Sequence, residues 1–349
     1  MSGGVDSSVA AGLLSQAGYE VLGVTMRLWT EENPTTSRHH RRCCSVEDTD
    51  DARAAADTLG IRHYVLNLEK AFSAGVVDYF VREYTLGRTP NPCLACNERV
   101  KFRPLLEYAL AIDADYLATG HYARIRRNGQ GFELHRAVDP SKDQSYVLYT
   151  LGQCELSRTL FPVGELPKAE IRALARDWRL PNAEKPDSAD ICFIPSGDYR
   201  AFVGERVPVR AGSIVDTSGA TIGGHDGIHN YTVGQRRGLP ARGGGEPLYV
   251  VGVDAQTNTV IAGENGDLLA EGLIAEELSF VSREAPVGQT PVHARIRYRS
   301  EPVRATLRIR GRGAEVRFAR SQRAVTPGQA IVFYDGERVL GGGKIVRAT

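Results

Sequence analysis

Ser2-Gly-Gly-Val-Asp-Ser-Ser8, at the start of the chain, is the stretch that decides the fold. Its glycines let backbone N–H groups approach an anion, its serines add hydroxyl donors, and the helix predicted from Asp6 to Ala17 adds positive potential at its N-terminus. The Asp6 carboxylate would repel phosphates unless it binds a cation between them, so it is a candidate ligand of Mg²⁺. The common phosphate loop, GxxxxGK[ST], is absent from the sequence, so the pattern predicts a different nucleotide loop. The simpler alternative is a capped helix that follows a glycine turn.

Outward from this loop, the pattern alternates between helix and strand. Apolar runs at 21–26 and 63–68 predict strands, and a capping pattern that begins at Ser45 predicts a helix between them, with Gly60 after its end. Strands that alternate with helices indicate a parallel sheet covered by helices, which is the doubly wound α/β class. Such a loop normally follows a central strand, and nothing precedes Met1. We therefore expect this domain to lack its first strand.

The second half of the chain has a different pattern. Asn128-Gly129 predicts a hairpin turn, and beyond Cys192 glycine-rich turns separate short strand-like runs. From about Leu273, β-branched residues alternate with arginine, which predicts an antiparallel barrel or sandwich. We predict three domains: a catalytic α/β domain at 1–193, a small central β-rich domain at 194–270, and a C-terminal antiparallel β-barrel at 271–349.

The composition is that of an ordinary globular chain. Of 349 residues, 42% are apolar and 24% are charged. No apolar run approaches the roughly 18 residues of a membrane helix, and the start does not have the pattern of a signal peptide. We therefore expect a cytoplasmic protein with no membrane partner. Six cysteines are too few for a disulfide framework, so they are expected to be thiols, metal ligands or redox groups.

Positive charge is concentrated towards the C-terminus. The net charge of the chain is only +1, but residues 283–323 contain eleven arginines and no lysine against three glutamates. Clustered arginine with an embedded tyrosine, as in Arg295-Ile-Arg-Tyr-Arg299, is typical of a nucleic-acid surface. A solvated strand face is the open alternative.

Three cysteines are candidates for chemistry. Cys93 and Cys96 form a C-x-x-C in a proline-rich loop, and Cys192 lies far from them in the sequence. Structural zinc is disfavoured because the other three cysteines do not form a second C-x-x-C pair. Sulfur transfer needs one cysteine to carry a persulfide and a second to expel the sulfur by forming a disulfide. Alternatively, all three could be ligands of an iron–sulfur cluster, and Cys192 alone could be a small buried apolar residue.

Eight blocks along the chain carry a family resemblance. They are, in order, SGGVDSS, TPNPCLACNERVKF, ATGHYAR, KDQSYVLYTL, DSADICFIP, YTVGQRRGL, RYRSEP and TPGQAIVFYDGE. On these blocks the sequence resembles the bacterial tRNA-specific 2-thiouridylases (MnmA-type) over essentially its whole length. The resemblance implies a PP-loop, adenine nucleotide alpha hydrolase-like first domain and a tRNA-binding barrel at the C-terminus.

The resemblance also implies an activity. Mg-ATP adenylates the 2-oxygen of the wobble uridine in Lys, Glu and Gln tRNAs. Sulfur from a cysteine persulfide then replaces that oxygen, which gives 2-thiouridine, AMP and pyrophosphate. A separate sulfur-relay protein donates the persulfide. Cys96 is implied as the nucleophile and Cys192 as the persulfide carrier.

Two sets of binding residues follow from the same motifs. The residues implied to bind ATP are Ser2, Gly3, Gly4, Val5, Asp6, Ser7, Ser8, Met26 and Gly120. The residues implied to contact tRNA are Asn91, Pro92, Cys93, His121, Lys142, Asp143, Gln144, Arg297, Tyr298 and Gln329. For His121, a core histidine is the open alternative.

The chain departs from part of this family at Cys93. Some members have an aspartate there, which has been assigned a role in acid/base catalysis. A thiol cannot be assumed to take that role. The C-x-x-C version strengthens the cluster alternative, in which Cys93, Cys96 and Cys192 hold an iron–sulfur cluster.

Two other classes of function stay open at this point. One is a different PP-loop adenylating enzyme, such as a small-molecule synthetase, and the other is a non-catalytic RNA-binding protein with a dead nucleotide loop. No chemistry is assigned to Cys154 or to Cys43-Cys44. The latter pair follows a basic run at 38–42 that is expected to form an RNA-facing loop.

Overall fold

The computed structural model of the chain describes residues 1–29, 46–187, 191–194, 196–241 and 246–349. The basic run at 38–42 and Cys43-Cys44 lie outside the described residues. By its internal contacts the chain divides into two compact units. Unit 1 comprises residues 1–77, 93–197 and 337–339, and unit 2 comprises residues 78–92, 198–336 and 340–349.

The described helices and strands alternate in the first part of the chain, and strands predominate after residue 204. The helices are α1 Val5–Gln16, α2 Val46–Leu59, α3 Glu69–Phe72, α4 Asp78–Thr85, α5 Pro92–Cys96, α6 Pro104–Ala111, α7 Gln153–Leu156, α8 Lys168–Asp177 and α9 Tyr199–Gly204. The strands are β1 Leu22–Arg27, β2 Arg62–Asn67, β3 Leu117–Ala118, β4 Ala123–Asn128, β5 Gly131–Arg136, β6 Thr159–Leu160, β7 Gly212–Asp216, β8 Thr221–His225, β9 Tyr249–Asp254, β10 Thr259–Gly263, β11 Leu269–Phe280, β12 Gln289–Arg295, β13 Val303–Arg310, β14 Gly313–Arg323, β15 Ala330–Asp335 and β16 Arg338–Ala348.

The core of unit 1 forms where α1 packs against α8. Ile171 and Ala175 are four residues apart on α8, so they share one face, and both are fully buried against the apolar side of α1. Gly12 of α1 faces the ring of Trp178, and a Cβ at this position would lie 2.3 Å from a ring carbon. The two helices can therefore approach closely only because residue 12 has no side chain.

Two of the parallel strands of unit 1, β1 and β2, lie where the apolar runs predicted them. β1 pairs with β2 in parallel, with Leu22 opposite Arg62, and β3 pairs with β6 in parallel, with Leu117 opposite Thr159. The described parallel strands thus form two separate pairs. Met1 lies beside β1, where its carbonyl accepts a hydrogen bond from the Thr25 hydroxyl at 2.7 Å.

The predicted hairpin is also present in unit 1. β4 and β5 pair in antiparallel fashion, with Asn128 opposite Gly131 at the turn. The Asn128 side chain accepts the backbone N–H of Gln130 at 2.8 Å, which closes the turn as an Asx motif.

Unit 2 begins with a small mixed sheet. Its strand order is β8-β7-β10-β9, in which β7 and β10 are parallel and the other neighbours are antiparallel. Val250 and Val260 are fully buried in its core together with Ile214. This sheet corresponds to the predicted central β-rich region.

The strands after residue 268 form a closed antiparallel barrel. Their order is β11-β14-β13-β12-β15-β16, and β16 pairs back to β11. Burial alternates along β13, where Val303, Ala305 and Leu307 face inward while Arg304, Thr306 and Arg308 are exposed. The alternation of apolar residues with arginine therefore predicted the barrel correctly, because successive strand residues face opposite sides.

Candidate nucleotide and sulfur-transfer site

The glycine-rich loop of unit 1 leads directly into α1. Gly3 has φ +73° and lies so close to α2 that a Cβ would be 2.3 Å from the carbonyl oxygen of Asp48, so only glycine fits. Gly4 is extended and α1 has no side-chain N-cap. The hydroxyls of Ser7 and Ser8 instead donate to the Gly4 carbonyl at 3.1 and 3.2 Å. The loop is thus folded tightly at a helix N-terminus, the usual position for binding an anion.

Two residues distant in sequence hold this loop in place. Asn182 is buried, and its side-chain nitrogen donates to the Gly3 carbonyl at 3.0 Å and to the Ser8 hydroxyl at 2.9 Å. Gly120 packs against the first turn of α1, where a Cβ would lie 2.7 Å from the Ser7 nitrogen. A larger residue at position 120 would push the loop away.

The remaining predicted ATP-binding residues differ in their exposure to solvent. Ser2 is exposed and its backbone N–H donates to the Ser7 hydroxyl at 3.0 Å. Val5 is buried in the core, so only its backbone faces the loop. Met26 is half-buried on β1.

Asp6 is the carboxylate of the loop, and it is bonded on one oxygen. Its Oδ1 accepts a hydrogen bond from the Tyr122 hydroxyl at 2.6 Å and forms an ion pair with Lys168 Nζ at 2.6 Å. Among the described residues, nothing donates to Oδ2, which leaves that oxygen for a cation. Burial, followed by the hydrogen bond to Asp6, raises the pKa of Tyr122, so this phenol stays protonated and remains a donor.

Lys168 links this carboxylate to a second one. Its ammonium lies 2.8 Å from Asp187, which also pairs with Lys142 at 2.8 Å and Arg172 at 3.2 Å. Burial opposes ionisation of Asp187, but hydrogen bonds from Lys142 and Lys168 outweigh it and lower its pKa to about 2. The Asp187 carboxylate is therefore ionised at neutral pH.

The three candidate cysteines all lie in unit 1, and none of them forms a disulfide with another described residue. Cys96 ends α5 and is buried, Cys93 is exposed, and Cys192 is half-buried. The residue after Cys192, Phe193, is fully buried and packs edge-on against Phe72, with ring centroids 5.6 Å apart. Within the described part of the chain, no three His, Cys, Asp or Glu side chains are grouped so that they could hold a metal ion.

The predicted tRNA contacts of unit 1 divide into buried and accessible residues. His121 is only 9% exposed, packs against the rings of both Phe102 and Phe161, and shares a 2.7 Å hydrogen bond with Thr119. Burial, with a smaller contribution from the Lys101 charge, lowers its pKa well below 6.5. These surroundings favour the alternative of a neutral core histidine.

The Lys142-Asp143-Gln144 stretch shows the same division. The Asp143 carboxylate is buried and accepts from Arg136 at 3.2 Å and from the Ser145 backbone at 3.1 Å. Gln144 is half-buried and accepts the backbone N–H of Tyr122 at 2.9 Å. Lys142 has a partly exposed side chain and pairs with Asp187. Asp143 is thus buried among its partners, whereas Lys142 and Gln144 are half-buried.

In unit 2, two predicted tRNA contacts hold backbone segments. Gln329 donates to the carbonyls of Thr89 at 3.0 Å and Pro90 at 3.4 Å, immediately before Asn91 and Pro92, which are half-buried. Arg297 donates to the carbonyl of Arg323 at 3.0 Å and to that of Ala324. Tyr298 is half-buried.

The outer face of the barrel carries exposed arginines. Arg304 and Arg308 alternate with inward residues on β13, and His293 of β12 lies opposite Arg304. On β14, Arg317 and Arg320 are exposed as well. These arginines are therefore exposed, which fits the predicted nucleic-acid surface and equally the alternative of a solvated strand face, whereas Arg295 is buried.

The site also contains residues that sequence reasoning missed. Lys168 and Asn182 contact the loop but are separated from their partners by 162 and at least 174 residues. No spacing rule connects them with the loop, because folding alone brings them together.

Within the described residues, no helix has the length and apolar character needed to cross a membrane.

An anion-binding loop at a helix N-terminus, a carboxylate within it and thiols in the same unit define an ATP-using α/β enzyme of the PP-loop class. Three family models match the chain: the tRNA methyl transferase HUP domain at residues 1–196, the tRNA methyl transferase PRC-barrel domain at 200–264, and the aminomethyltransferase beta-barrel domain at 270–345.

Curated relatives define the family further. A tRNA-specific 2-thiouridylase MnmA from Carboxydothermus hydrogenoformans is 47% identical, with 99% of this chain and 96% of the relative covered. The MnmA of Roseiflexus castenholzii is 48% identical, with 99% and 98% covered. The chain belongs to the tRNA-specific 2-thiouridylase (MnmA) family. A solved NMN synthetase from Francisella tularensis, at TM-score 0.31 and 19% identity over 54% of this chain and 63% of that one, is too dissimilar to support an inference.

Family membership confirms several predictions made from sequence. These are the family, the α/β class followed by a β-rich region and a C-terminal barrel, and an enzyme that synthesises 2-thiouridine in tRNA with ATP. The HUP model's description mentions methyl transfer, whereas the relatives are thiouridylases. The nucleotide loop and the cysteines of unit 1 fit thiolation.

Proposed function

We propose that this chain adenylates the wobble uridine of Lys, Glu and Gln tRNAs on its PP-loop and thiolates it through Cys192 and Cys96. The observation that carries the proposal is the geometry of the Ser2–Ser8 loop. Its glycines fold it tightly at the N-terminus of α1, and its single carboxylate is already fixed by two donors.

The first step activates the uridine. Its 2-oxygen attacks the α-phosphorus of ATP, the bond to the bridging oxygen breaks, and pyrophosphate leaves. The backbone N–H groups of the loop and the start of α1 stabilise the negative charge that develops on the phosphates. The uridine must be flipped out of the anticodon stack to reach this site.

The donor set around Asp6 fits Mg²⁺. The cation prefers carboxylate and phosphate oxygens, and Asp6 has an oxygen to which no described residue donates. Asp6 would hold the ion, which would screen the phosphate charge.

The second step transfers sulfur. The terminal sulfur of a Cys192 persulfide attacks carbon 2 of the uridine and expels AMP. The Cys96 thiolate then attacks the inner sulfur, which forms a Cys96–Cys192 disulfide and releases 2-thiouridine. Cellular thiols reduce the disulfide. The exposed Cys93 is a contact for the target base in this scheme, together with Asn91 and Pro92.

The cluster route finds less support. Three cysteine ligands of one cluster must converge, whereas the described residues contain no group of three His, Cys, Asp or Glu side chains that could hold a metal ion. Cysteines outside a disulfide instead suit a persulfide that is loaded by a separate sulfur-relay protein.

Binding of the tRNA is proposed to use the basic barrel. Residues 271–349 would hold the RNA through exposed arginines and through Arg297, Tyr298 and Gln329. Residues 1–193 would perform the chemistry, and residues 194–270 would form the small central domain. Because tRNA and ATP are cytoplasmic, we place the reaction in the cytoplasm.

The test is nucleoside mass spectrometry on unmodified tRNA incubated anaerobically with the protein, Mg-ATP, a thiol reductant and a persulfide donor such as glutathione persulfide, which can transfer its outer sulfur to Cys192. Protein as purified is compared with protein stripped of iron by a chelator, and circular dichroism checks folding. We expect 2-thiouridine from both samples, in the Lys, Glu and Gln isoacceptors only. Product that disappears on stripping would replace the persulfide route by a cluster route. A folded protein that makes no product in either sample would contradict the proposed function.

A further inference from the structure

The loop that is proposed to bind ATP lacks a positive side chain. Ser2–Ser8 contains neither lysine nor arginine, and its only charged residue is Asp6. Adenylation releases pyrophosphate, which carries several negative charges, so a cation near the leaving phosphates would lower the barrier. Any cationic side chain that acts beside the Mg²⁺ proposed at Asp6 therefore comes from elsewhere in the fold.

Lys168 is the positive side chain that meets this loop. Its Nζ lies 2.6 Å from Asp6 and 2.8 Å from Asp187, and the residue is only 8% exposed. The start of α8 is fixed as well, because the Lys168 backbone N–H donates to Asp139 at 3.0 Å. A lysine held this way is oriented before the substrate arrives, so little entropy is lost on binding.

The other cations of the cluster are bonded differently. Lys142 and Arg172 pair with Asp187, and Arg172 also donates to the backbone carbonyls of Ala183 and Lys185. The Lys185 side chain pairs with Asp48 and Asp51. Among the described residues, Lys168 alone pairs with the loop carboxylate.

We propose that Lys168 is a further catalytic residue, which binds the β- and γ-phosphates of ATP and stabilises the departing pyrophosphate. The ammonium keeps its protons: as the bond from the α-phosphorus to the bridging oxygen breaks, the electron pair goes to that oxygen and Lys168 stabilises the charge. Asp6 and Asp187 hold the lysine ready. The inference rests on the proposed assignment of Ser2–Ser8 to ATP.

The experiment compares three ligands that differ in the phosphates they carry. Isothermal titration measures the binding of ATP, pyrophosphate and AMP, each with Mg²⁺, to wild type and to Lys168→Met. We expect the affinity for ATP and pyrophosphate to fall about tenfold or more, which is the usual effect of losing a charged hydrogen bond. The affinity for AMP, which lacks those phosphates, should change less than about twofold.

Two further variants separate this role from a structural one. Arg176→Met removes an exposed cation of the same helix, one that pairs with Glu184, and should bind all three ligands like wild type. Lys168→Arg keeps the charge and should recover part of the preference for ATP over AMP. If Lys168→Met does not fold, Lys168→Met/Asp187→Asn is compared with Asp187→Asn, because this pair leaves fewer buried charges unpaired.

The outcomes are distinct. Equal losses for ATP and AMP, or no loss for ATP and pyrophosphate, would overturn the role of Lys168. A wild-type protein that binds none of the three ligands would instead overturn the assignment of the loop to ATP.

Discussion

The nucleotide loop of unit 1 and the outer face of the barrel in unit 2 are both rich in charge, but they use it in opposite ways. Around the loop, Lys168 is almost fully buried and contacts two carboxylates at 2.6 and 2.8 Å. On the barrel, Arg317 and Arg310 reach Glu271 and Glu315 at 3.5 and 3.7 Å, with side chains that are at least half exposed.

The difference reflects what each surface must recognise. Charges near a reacting phosphate act through fixed geometry in a water-poor site, so each one matters individually. Exposed arginines bind a polyanion through many weak, exchangeable contacts that salt screens. Single changes should therefore be severe near the loop and mild on the barrel.

The largest expected effect comes from the sulfur carrier. Cys192→Ser should lower thiolation on the order of a thousandfold or more, because serine cannot carry a persulfide, while tRNA-dependent release of pyrophosphate continues. Nucleoside mass spectrometry and a pyrophosphate assay measure the two steps. Cys154→Ser, at an exposed thiol outside the site, is the control. Normal thiolation by Cys192→Ser would remove Cys192 from the mechanism.

The barrel should lose affinity more gradually. Arg304→Ala/Arg308→Ala removes two exposed cations from one face of β13 and should weaken tRNA binding about tenfold, lowering the slope of log affinity against log salt by about 2. Filter binding across a salt series measures both quantities. Arg53→Ala/Arg62→Ala makes the same charge change on exposed residues of unit 1. An equal loss in both double variants would mean that net charge, not this face, determines binding.

The pH dependence of stability tests whether His121 is a core residue. Its folded pKa is well below the unfolded value of 6.5, so the unfolded state takes up the proton first and stability falls as the pH drops below 6.5. His121→Asn has no such group. The difference in unfolding free energy between wild type and His121→Asn should therefore shrink by about 1 kcal/mol as the pH falls from 7 to 5.5, because only the wild type loses stability. Urea unfolding at both pH values measures the deficit, and a constant deficit would mean that His121 titrates freely in the folded protein.

The smallest expected effect concerns Asp187, which is partly exposed. Its folded pKa of about 2 is below the unfolded 3.8, so its stabilisation is present above pH 3.8 and is lost as the pH falls through 2. After allowance for solvent screening, Asp187→Asn should cost about 1 kcal/mol at pH 5, and about half of that difference should disappear by pH 3. Urea titrations supply the values. A larger deficit at pH 3 than at pH 5 would contradict the ion-pair cluster.

Parts of this protein followed directly from local sequence. The Asn128-Gly129 turn, the helix after the glycine loop and the alternating burial of β13 were all predicted, because each depends on backbone preferences within a few residues. The PP-loop and the family were likewise recognised from contiguous motifs.

Only the tertiary structure decided which side chains meet. Lys168 and Asn182 reach the loop across more than 160 residues of sequence, while His121 and Asp143, which lie in conspicuous motifs, are buried by neighbours from other elements. A motif fixes the local backbone and the chemistry that is available. Burial and partners depend on how distant elements pack, and packing is a property of the whole fold that no short stretch encodes.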